Sequence, residues 1–118
     1  MGVRRVVPVL HAPDPAAGSE FYSDVLGLDV GMDIDWVVNL VSPDNPSAQV
    51  LLMSEDATAP VRPDASIEVD DVDGAYAAAQ RRGCEIVHPL TAEPWGVRRF
   101  FVRDPNGNVI NVLAHRSS

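Results

Sequence analysis

The chain has 118 residues, 46% of them hydrophobic, which is enough to bury the core of a single domain without disulfide bonds. Seventeen acidic residues outnumber nine basic ones, and the net charge of −8 repels nucleic acid, so no nucleic-acid partner is expected. The same charge would favour a cationic ligand, although acidic surfaces also serve solubility alone.

The N-terminal segment is predicted to be a strand rather than a targeting sequence. This strand is predicted over 5–10, where a short apolar run ends at His11 and a Pro-Asp-Pro turn, whereas a secretory signal needs a longer apolar core and a small-residue cleavage site. No stretch approaches the roughly 18 apolar residues that a membrane span requires. The protein is therefore expected to be cytoplasmic, with no membrane partner.

A helix and three strands are predicted to follow this first strand. Asp14 is a typical N-cap residue, and Pro15 is favoured at the first helical position. The helix is predicted over 16–26 and ends before Gly27, a residue typical of C-caps. Short apolar and β-branched runs bounded by turn residues predict the three strands, at 28–32, 36–41 and 48–54.

The second half repeats this order of elements at an almost constant interval. A strand at 66–69 leads to Asp70 and Asp71, then to a helix over 72–82 that ends at Gly83. Three strands are again predicted to follow, at 85–90, 98–103 and 109–114. The last two are joined by Asp-Pro-Asn-Gly-Asn at 104–108, which is typical of a hairpin turn.

The spacing predicts an α+β protein made of two tandem βαβββ modules in one domain, 1–118. Module one is predicted over 1–56, a linker over 57–63 and module two over 64–118. Helices are expected on one side of a curved sheet, and the concave side is the expected ligand cleft.

An apolar stripe on the first helix is expected to pack against the sheet. Ala17, Phe21, Val25 and Leu28 recur at roughly helical spacing. Phe21 and Tyr22 are accordingly predicted to be core residues.

Four motifs make the chain resemble the vicinal oxygen chelate superfamily, which includes glyoxalase I, extradiol dioxygenases and bleomycin-binding proteins. The motifs are Val-Pro-Val-Leu at 7–10, Phe-Tyr-Ser-Asp-Val-Leu-Gly-Leu at 21–28, Glu-Pro-Trp-Gly at 93–96 and Asp-Pro-Asn-Gly-Asn at 104–108. The first and third are most similar to the bleomycin-binding branch. The resemblance implies a homodimer, either with or without exchange of modules between the two chains.

The resemblance also implies four positions at which metal-using members hold their ion with His and Glu. In this chain these positions carry Val7, Leu52, Asp64 and Asn111. Valine and leucine cannot coordinate an ion, and one carboxylate with one amide holds a transition metal only loosely. We therefore expect no metal and no cofactor.

Candidate ligand-binding residues are mainly aromatic or polar. Trp36 and Trp95 each combine a flat apolar surface with one hydrogen-bond donor, which suits a planar ligand, although Trp95 could instead plug one end of the fold. Alternation along the strand puts Phe101 on one face with Arg99, and Phe100 on the helix side. Asn111 is expected to face inward and to orient a ligand through its amide.

The three histidines are interpreted differently. His11 shares a strand face with Val7, where it could contact a ligand, act as a general base or cap the following turn. His88 and His115 are predicted to be surface groups.

Several functions are compatible with these residues. The favoured hypothesis is a metal-independent protein that binds a small organic ligand, sequestering an antibiotic or similar planar natural product, and not an enzyme. The alternative is a glyoxalase-like or other lyase or isomerase acting on a carbonyl substrate, with a metal or with His11 as base. A structural or regulatory role is also left open.

Overall fold

The computed structural model describes residues 2–115, which form eight strands and two helices. In chain order these elements are β1 (Val3–His11), α1 (Pro15–Leu26), β2 (Asp29–Ile34), β3 (Val37–Val41), β4 (Gln49–Met53), β5 (Ala65–Val69), α2 (Val72–Arg82), β6 (Ile86–Ala92), β7 (Val97–Arg103) and β8 (Val109–His115). Every predicted helix and strand is present, and the α+β class is confirmed.

The hydrogen-bonded strand order is β2-β3-β4-β1-β5-β8-β7-β6. Within each repeat the first and last strands in chain order pair in parallel, β1 with β4 and β5 with β8. The remaining pairs within each repeat are antiparallel. The chain divides into two compact units, one over Val7–Arg62 and the other over the described residues 2–6 and 63–115. We call these the first and second modules.

Both helices begin and end as their capping residues predict. The Asp14 carboxylate accepts from the Ala17 N–H at 3.2 Å, and the Asp71 carboxylate accepts from the Gly74 N–H at 2.9 Å. Gly27 ends α1 with φ of 69°, a left-handed conformation that favours glycine. The same capping chemistry therefore sets the ends of the helix in both modules.

The core of the first module lies between α1 and the sheet. Leu52, Val38 and Leu40 are buried there, and Tyr22 packs against them from α1. Gly18 allows this close packing, since a Cβ at that position would lie 3.1 Å from the Leu52 Cδ1 atom.

Of the predicted apolar stripe, Leu28 packs against this core from just beyond α1, whereas Phe21 and Val25 on the helix do not face it. Phe21 is 57% exposed and Val25 is 61% exposed, so the prediction that Phe21 is a core residue is wrong. The periodicity of the helix was correct, but the face carrying Gly18 and Tyr22 contacts the sheet instead. An apolar strip of α1 is thereby left on the surface.

The second module buries a larger cluster beneath α2. Phe100, Val69 and Val72 form its centre, and Tyr76 packs edge-on against Phe100 with ring centroids 4.9 Å apart. Neither α1 nor α2, the two helices of residues 2–115, is long and apolar enough to cross a membrane.

An ionic cluster ties the start of β1 to this module. The Glu68 Oε1 on β5 forms an ion pair with the Arg5 Nε at 3.0 Å, and its other oxygen lies 2.8 Å from the His115 Nδ1. All three side chains come from different strands, so the cluster links β1, β5 and β8.

The β7–β8 hairpin is organised by the carboxylate of Asp104. One oxygen accepts from the backbone N–H groups of Asn106 at 2.8 Å and Asn108 at 2.9 Å, and the other accepts from the Asn108 side chain at 2.9 Å. These bonds, led by that of the Asn108 side chain, hold the pKa of Asp104 below its ordinary value of 3.8.

Replacing Asp104 by Asn is expected to make the free energy of unfolding less sensitive to acid. Because the folded-state pKa is lowered, the carboxylate stabilises the fold above pH 3.8, and this contribution is lost as the pH falls through the lowered pKa. Urea unfolding near neutral pH and at pH about 3 should show the difference between wild type and Asp104→Asn shrinking at the lower pH.

A matched control is Asp44→Asn in the exposed turn after β3, where the carboxylate accepts no hydrogen bond among residues 2–115. A difference for Asp104→Asn that stays constant across this pH range would contradict the prediction.

Candidate functional site

The second module presents a mixed polar and aromatic surface on the side of its sheet away from α2. Side chains alternate along a strand, so the neighbours of Phe100 and of the other residues packed on α2 point the opposite way. We call this surface the α2-distal face and define it by Ser66, His88, Arg99, Phe101, Asn111 and Leu113.

Four residues of this face form a row across the four strands of the module. Strand pairing places His88 beside Phe101, Phe101 beside Asn111, and Asn111 beside Ser66. The ring of Phe101 has no exposed surface, and its centroid lies 5.2 Å from that of His88. The Asn111 Nδ2 donates to the Ser66 Oγ at 3.1 Å. An aromatic ring therefore lies between an imidazole and an amide on one surface.

Arg99 lies between two aromatic rings. Its guanidinium carbon is 5.1 Å from the Trp95 ring centroid and 4.9 Å from that of Phe101. Both distances are within the range of cation–π attraction, so Arg99 helps to hold the Trp95 ring in place. Trp95 remains 49% exposed, which leaves much of its indole surface for contact with another molecule.

Trp95 occupies a tight turn between β6 and β7. The Gly96 N–H donates to the Glu93 carbonyl at 3.2 Å, and the Glu93 N–H donates to the Val97 carbonyl at 2.7 Å. Gly96 has φ of 94°, a conformation that a residue with a side chain rarely adopts. The glycine in Pro-Trp-Gly therefore permits the turn that displays the tryptophan.

The same turn buries a carboxylate next to two basic side chains. The Glu93 Oε2 is 3.4 Å from the Arg99 Nη2, and its Oε1 is 3.7 Å from the His88 Nε2. Glu93 and Arg99 are each only 5% exposed. Because buried ions need compensating charge, the acid and the guanidinium neutralise each other at this site.

On this face, the buried Asn111 Oδ1 and His88 Nε2 atoms have no hydrogen-bond partner within residues 2–115. Most buried polar side-chain atoms in proteins have a hydrogen-bond partner, because a buried atom without one has lost its bonds to water and gained no bond to replace them. The α2-distal face can therefore offer hydrogen bonds to a bound molecule.

The structure brings four of the predicted site residues together and places two elsewhere. Trp95, Arg99, Phe101 and Asn111 cluster in the second module, as described above. Trp36 lies in the first module, where it packs against the cluster of Val9, Val37 and Met53. His11 also belongs to the first module and is exposed at the end of β1.

Two residues of the site were not predicted. His88 was expected at the surface, and this is wrong: its side chain is only 13% exposed and lies against Phe101. Glu93 was noted only as part of a motif, although it is buried beside Arg99. His88 was interpreted as a surface group because it precedes Pro89, but β6 continues through two register irregularities to Ala92 and pairs His88 with Phe101.

Comparison with known families now identifies the class of this fold. The model of the Glyoxalase/Bleomycin resistance protein/Dioxygenase superfamily matches residues 5–112. The chain belongs to this superfamily, and the fold inferred from its motifs is confirmed. A search of curated proteins finds no match.

Solved structures with the same fold are distant in sequence. A superfamily member from Vibrio splendidus 12B01 is 21% identical, with 96% of this chain and 99% of that chain covered and a TM-score of 0.72. A methylmalonyl-CoA epimerase from Mycobacterium tuberculosis is 18% identical, with 98% and 89% covered and a TM-score of 0.68. An NAD-dependent benzaldehyde dehydrogenase from Legionella pneumophila is 17% identical, with 94% and 99% covered and a TM-score of 0.72. At these identities the similarity shows the fold alone.

One of the four residues matched to the metal-ligand positions of metal-using family members was assigned wrongly. Leu52 packs in the cluster beneath α1, so it faces away from the side on which Val9 lies. The β4 residue on that other side is Leu51, the strand partner of Val9. The ambiguity arose because 50–53 is an unbroken apolar run in which no alternation is visible.

The corrected set of side chains does not fit a transition metal. Val7 and Leu51 have no donor atom, and Asp64 uses a carboxylate oxygen to accept from the Val109 N–H at 2.8 Å. Asn111 offers a neutral amide, which is a weak ligand. Across the described part of the chain, no three His, Cys, Asp or Glu side chains group together in a way that could hold an ion.

The buried pair of Glu93 and Arg99 is expected to stabilise the second module. Glu93→Gln should lower the free energy of unfolding by on the order of 3 kcal/mol, because it leaves the guanidinium of Arg99 buried without its carboxylate. Urea denaturation followed by circular dichroism measures this change.

The exposed pair of Glu85 and Arg103 provides the matched control. Their contact of 3.2 Å lies at the surface, so Glu85→Gln should cost less than about 1 kcal/mol. Equal losses of stability in the two variants would mean that burial of the Glu93 pair has no energetic consequence.

Proposed function

We propose that the protein is a cytoplasmic, metal-independent binding protein for a small planar organic molecule, which it holds on the α2-distal face. The observation that carries this proposal is the buried Asn111 amide oxygen, which has no partner among residues 2–115. A buried acceptor of this kind gains a hydrogen bond when a ligand supplies an N–H or O–H group.

The aromatic residues support a planar ligand. The indole of Trp95 is half exposed and is supported from one side by Arg99 and, behind it, by Phe101. An aromatic ring held in this way can stack on a flat molecule without losing much side-chain freedom on binding.

The side chains at the metal-ligand positions support metal independence. Valine, leucine, a hydrogen-bonded aspartate and an asparagine offer no strong ligand set. The resemblance to bleomycin-binding proteins favours an antibiotic or a similar planar natural product as the ligand. Sequestration of such a ligand requires tight binding and no chemical reaction.

Binding is expected to depend on Trp95 and not on a metal ion. A library of planar aromatic compounds, screened by thermal shift, should yield compounds whose dissociation constants are unchanged by EDTA. Trp95→Ala should weaken their binding about tenfold or more because the stacking surface is lost, and Trp95→Phe should restore most of the affinity.

Two results would overturn the proposal. One is that EDTA abolishes binding and a divalent ion restores it. The other is that no planar compound stabilises the protein, or that Trp95→Ala binds every hit as wild type does.

We further propose that the exposed strip of α1 pairs with a second copy of the chain to form a homodimer. Phe21, Val25 and Leu26 on α1 are each more than half exposed, and Val30, Met32 and Ile34 on β2 are also exposed. Contiguous apolar patches on a surface are typical of interaction sites. A symmetric pair of such helices would cover them.

Charge placed on this strip is expected to disrupt the dimer. Light scattering coupled to size-exclusion chromatography should give the mass of two chains for wild type and of one chain for Phe21→Asp, because an ionised carboxylate resists burial in an apolar interface. Val61→Asp, at an exposed valine outside α1 and β2, serves as the control and should remain a dimer. A monomeric wild type, or a dimeric Phe21→Asp, would contradict the proposal.

A further inference from the structure

The side chain of Asn111 defines a recognition edge within the proposed site. Asn111 is 8% exposed, its Nδ2 donates to the Ser66 Oγ at 3.1 Å, and its Oδ1 has no partner within residues 2–115. A primary amide carries two N–H donors and an oxygen with two lone pairs. One hydrogen and the oxygen therefore remain to be paired.

This capacity does not depend on which way the amide is turned. The hydroxyl of Ser66 can either donate or accept, so a turned amide would accept from Ser66 through Oδ1 instead of donating through Nδ2. In both orientations Asn111 keeps at least one N–H and one lone pair. A complementary ligand must then present a donor and an acceptor side by side.

The surrounding charges favour an uncharged ligand. Arg99 and Glu93 already neutralise each other at 3.4 Å, and both are buried. An ionised ligand placed beside them would bury a net charge, which is costly without a counter-ion.

The neighbouring aromatic rings favour an aromatic ligand. Phe101 lies next to Asn111 in the row, and the half-exposed indole of Trp95 is held over Arg99 beside it. A flat ring system placed on this surface contacts apolar atoms while its edge reaches the amide.

We infer that the ligand, given the binding function proposed above, is an uncharged aromatic lactam or carboxamide whose adjacent N–H and C=O pair with the amide of Asn111. The unmet polar groups of Asn111 then select for that edge, since a ligand lacking the N–H leaves the buried oxygen unpaired.

Two pairs of compounds test this inference: 4-quinazolinone with its 3-methyl derivative, and 2-naphthamide with its N,N-dimethyl derivative. Methylation removes the N–H and preserves the ring system. Isothermal titration calorimetry of the full chain should show, for at least one pair, that the dissociation constant of the unmethylated compound is about tenfold or more below that of its methylated partner. In Asn111→Leu the two members should bind within about twofold of each other, as expected when the discriminating group is removed.

Two further variants test whether the discrimination within each pair depends on the Asn111 amide. Asn111→Asp keeps the shape of the side chain but replaces the N–H donor with a carboxylate oxygen, so it should lower the affinity for the unmethylated compounds about tenfold. This result can be obtained even if Asn111→Leu does not fold. Asn39→Leu removes an asparagine of the first module that donates to Gln49, and it should leave the ratio within each pair unchanged.

The failures of the two proposals are distinguishable. Equal binding within both pairs, or binding of other planar library compounds but none of these four, overturns the present inference and leaves the binding function standing. Absence of binding by every planar compound overturns both.

Discussion

The middle of strand β7, at residues 99–101, is buried on both of its faces, and the packing of the second module depends on this. Phe100 is 1% exposed and packs against α2, while Phe101 has no exposed surface and supports the α2-distal face. Adjacent residues of a strand point in opposite directions, so one pair of phenylalanines joins the structural core to the candidate site. Arg99, two residues before Phe101, extends the second face toward Trp95.

Local rules were sufficient to predict the repeated fold but not the packing of its surfaces. Asp14 and Gly27 act within one turn of chain, so their positions fixed the ends of α1 without knowledge of tertiary contacts. Phe21 was misplaced because helical periodicity identifies an apolar stripe without saying which stripe meets the sheet. His88 was missed for a related reason: only strand pairing across β6 and β7 brings it to Phe101.

The candidate site illustrates how a family position can change its chemistry while keeping its place in the fold. Asn111 occupies a position that the family resemblance assigns to a metal-binding carboxylate, and in this chain it pairs with Ser66 instead. An amide loses the charge that attracts an ion but keeps an acceptor and gains a donor. Those properties suit recognition of a neutral molecule, and the nearby pair of Glu93 and Arg99 is already balanced. The proposed function and the proposed ligand class both follow from this exchange of an ionic for a neutral polar group.

A crystal structure of the protein with its tightest-binding planar compound tests the central claim most directly. The compound is expected on the α2-distal face, with its edge within hydrogen-bond distance of the Asn111 side chain. A compound bound away from this face, or a fully occupied cation coordinated by Asp64 and Asn111, would contradict it.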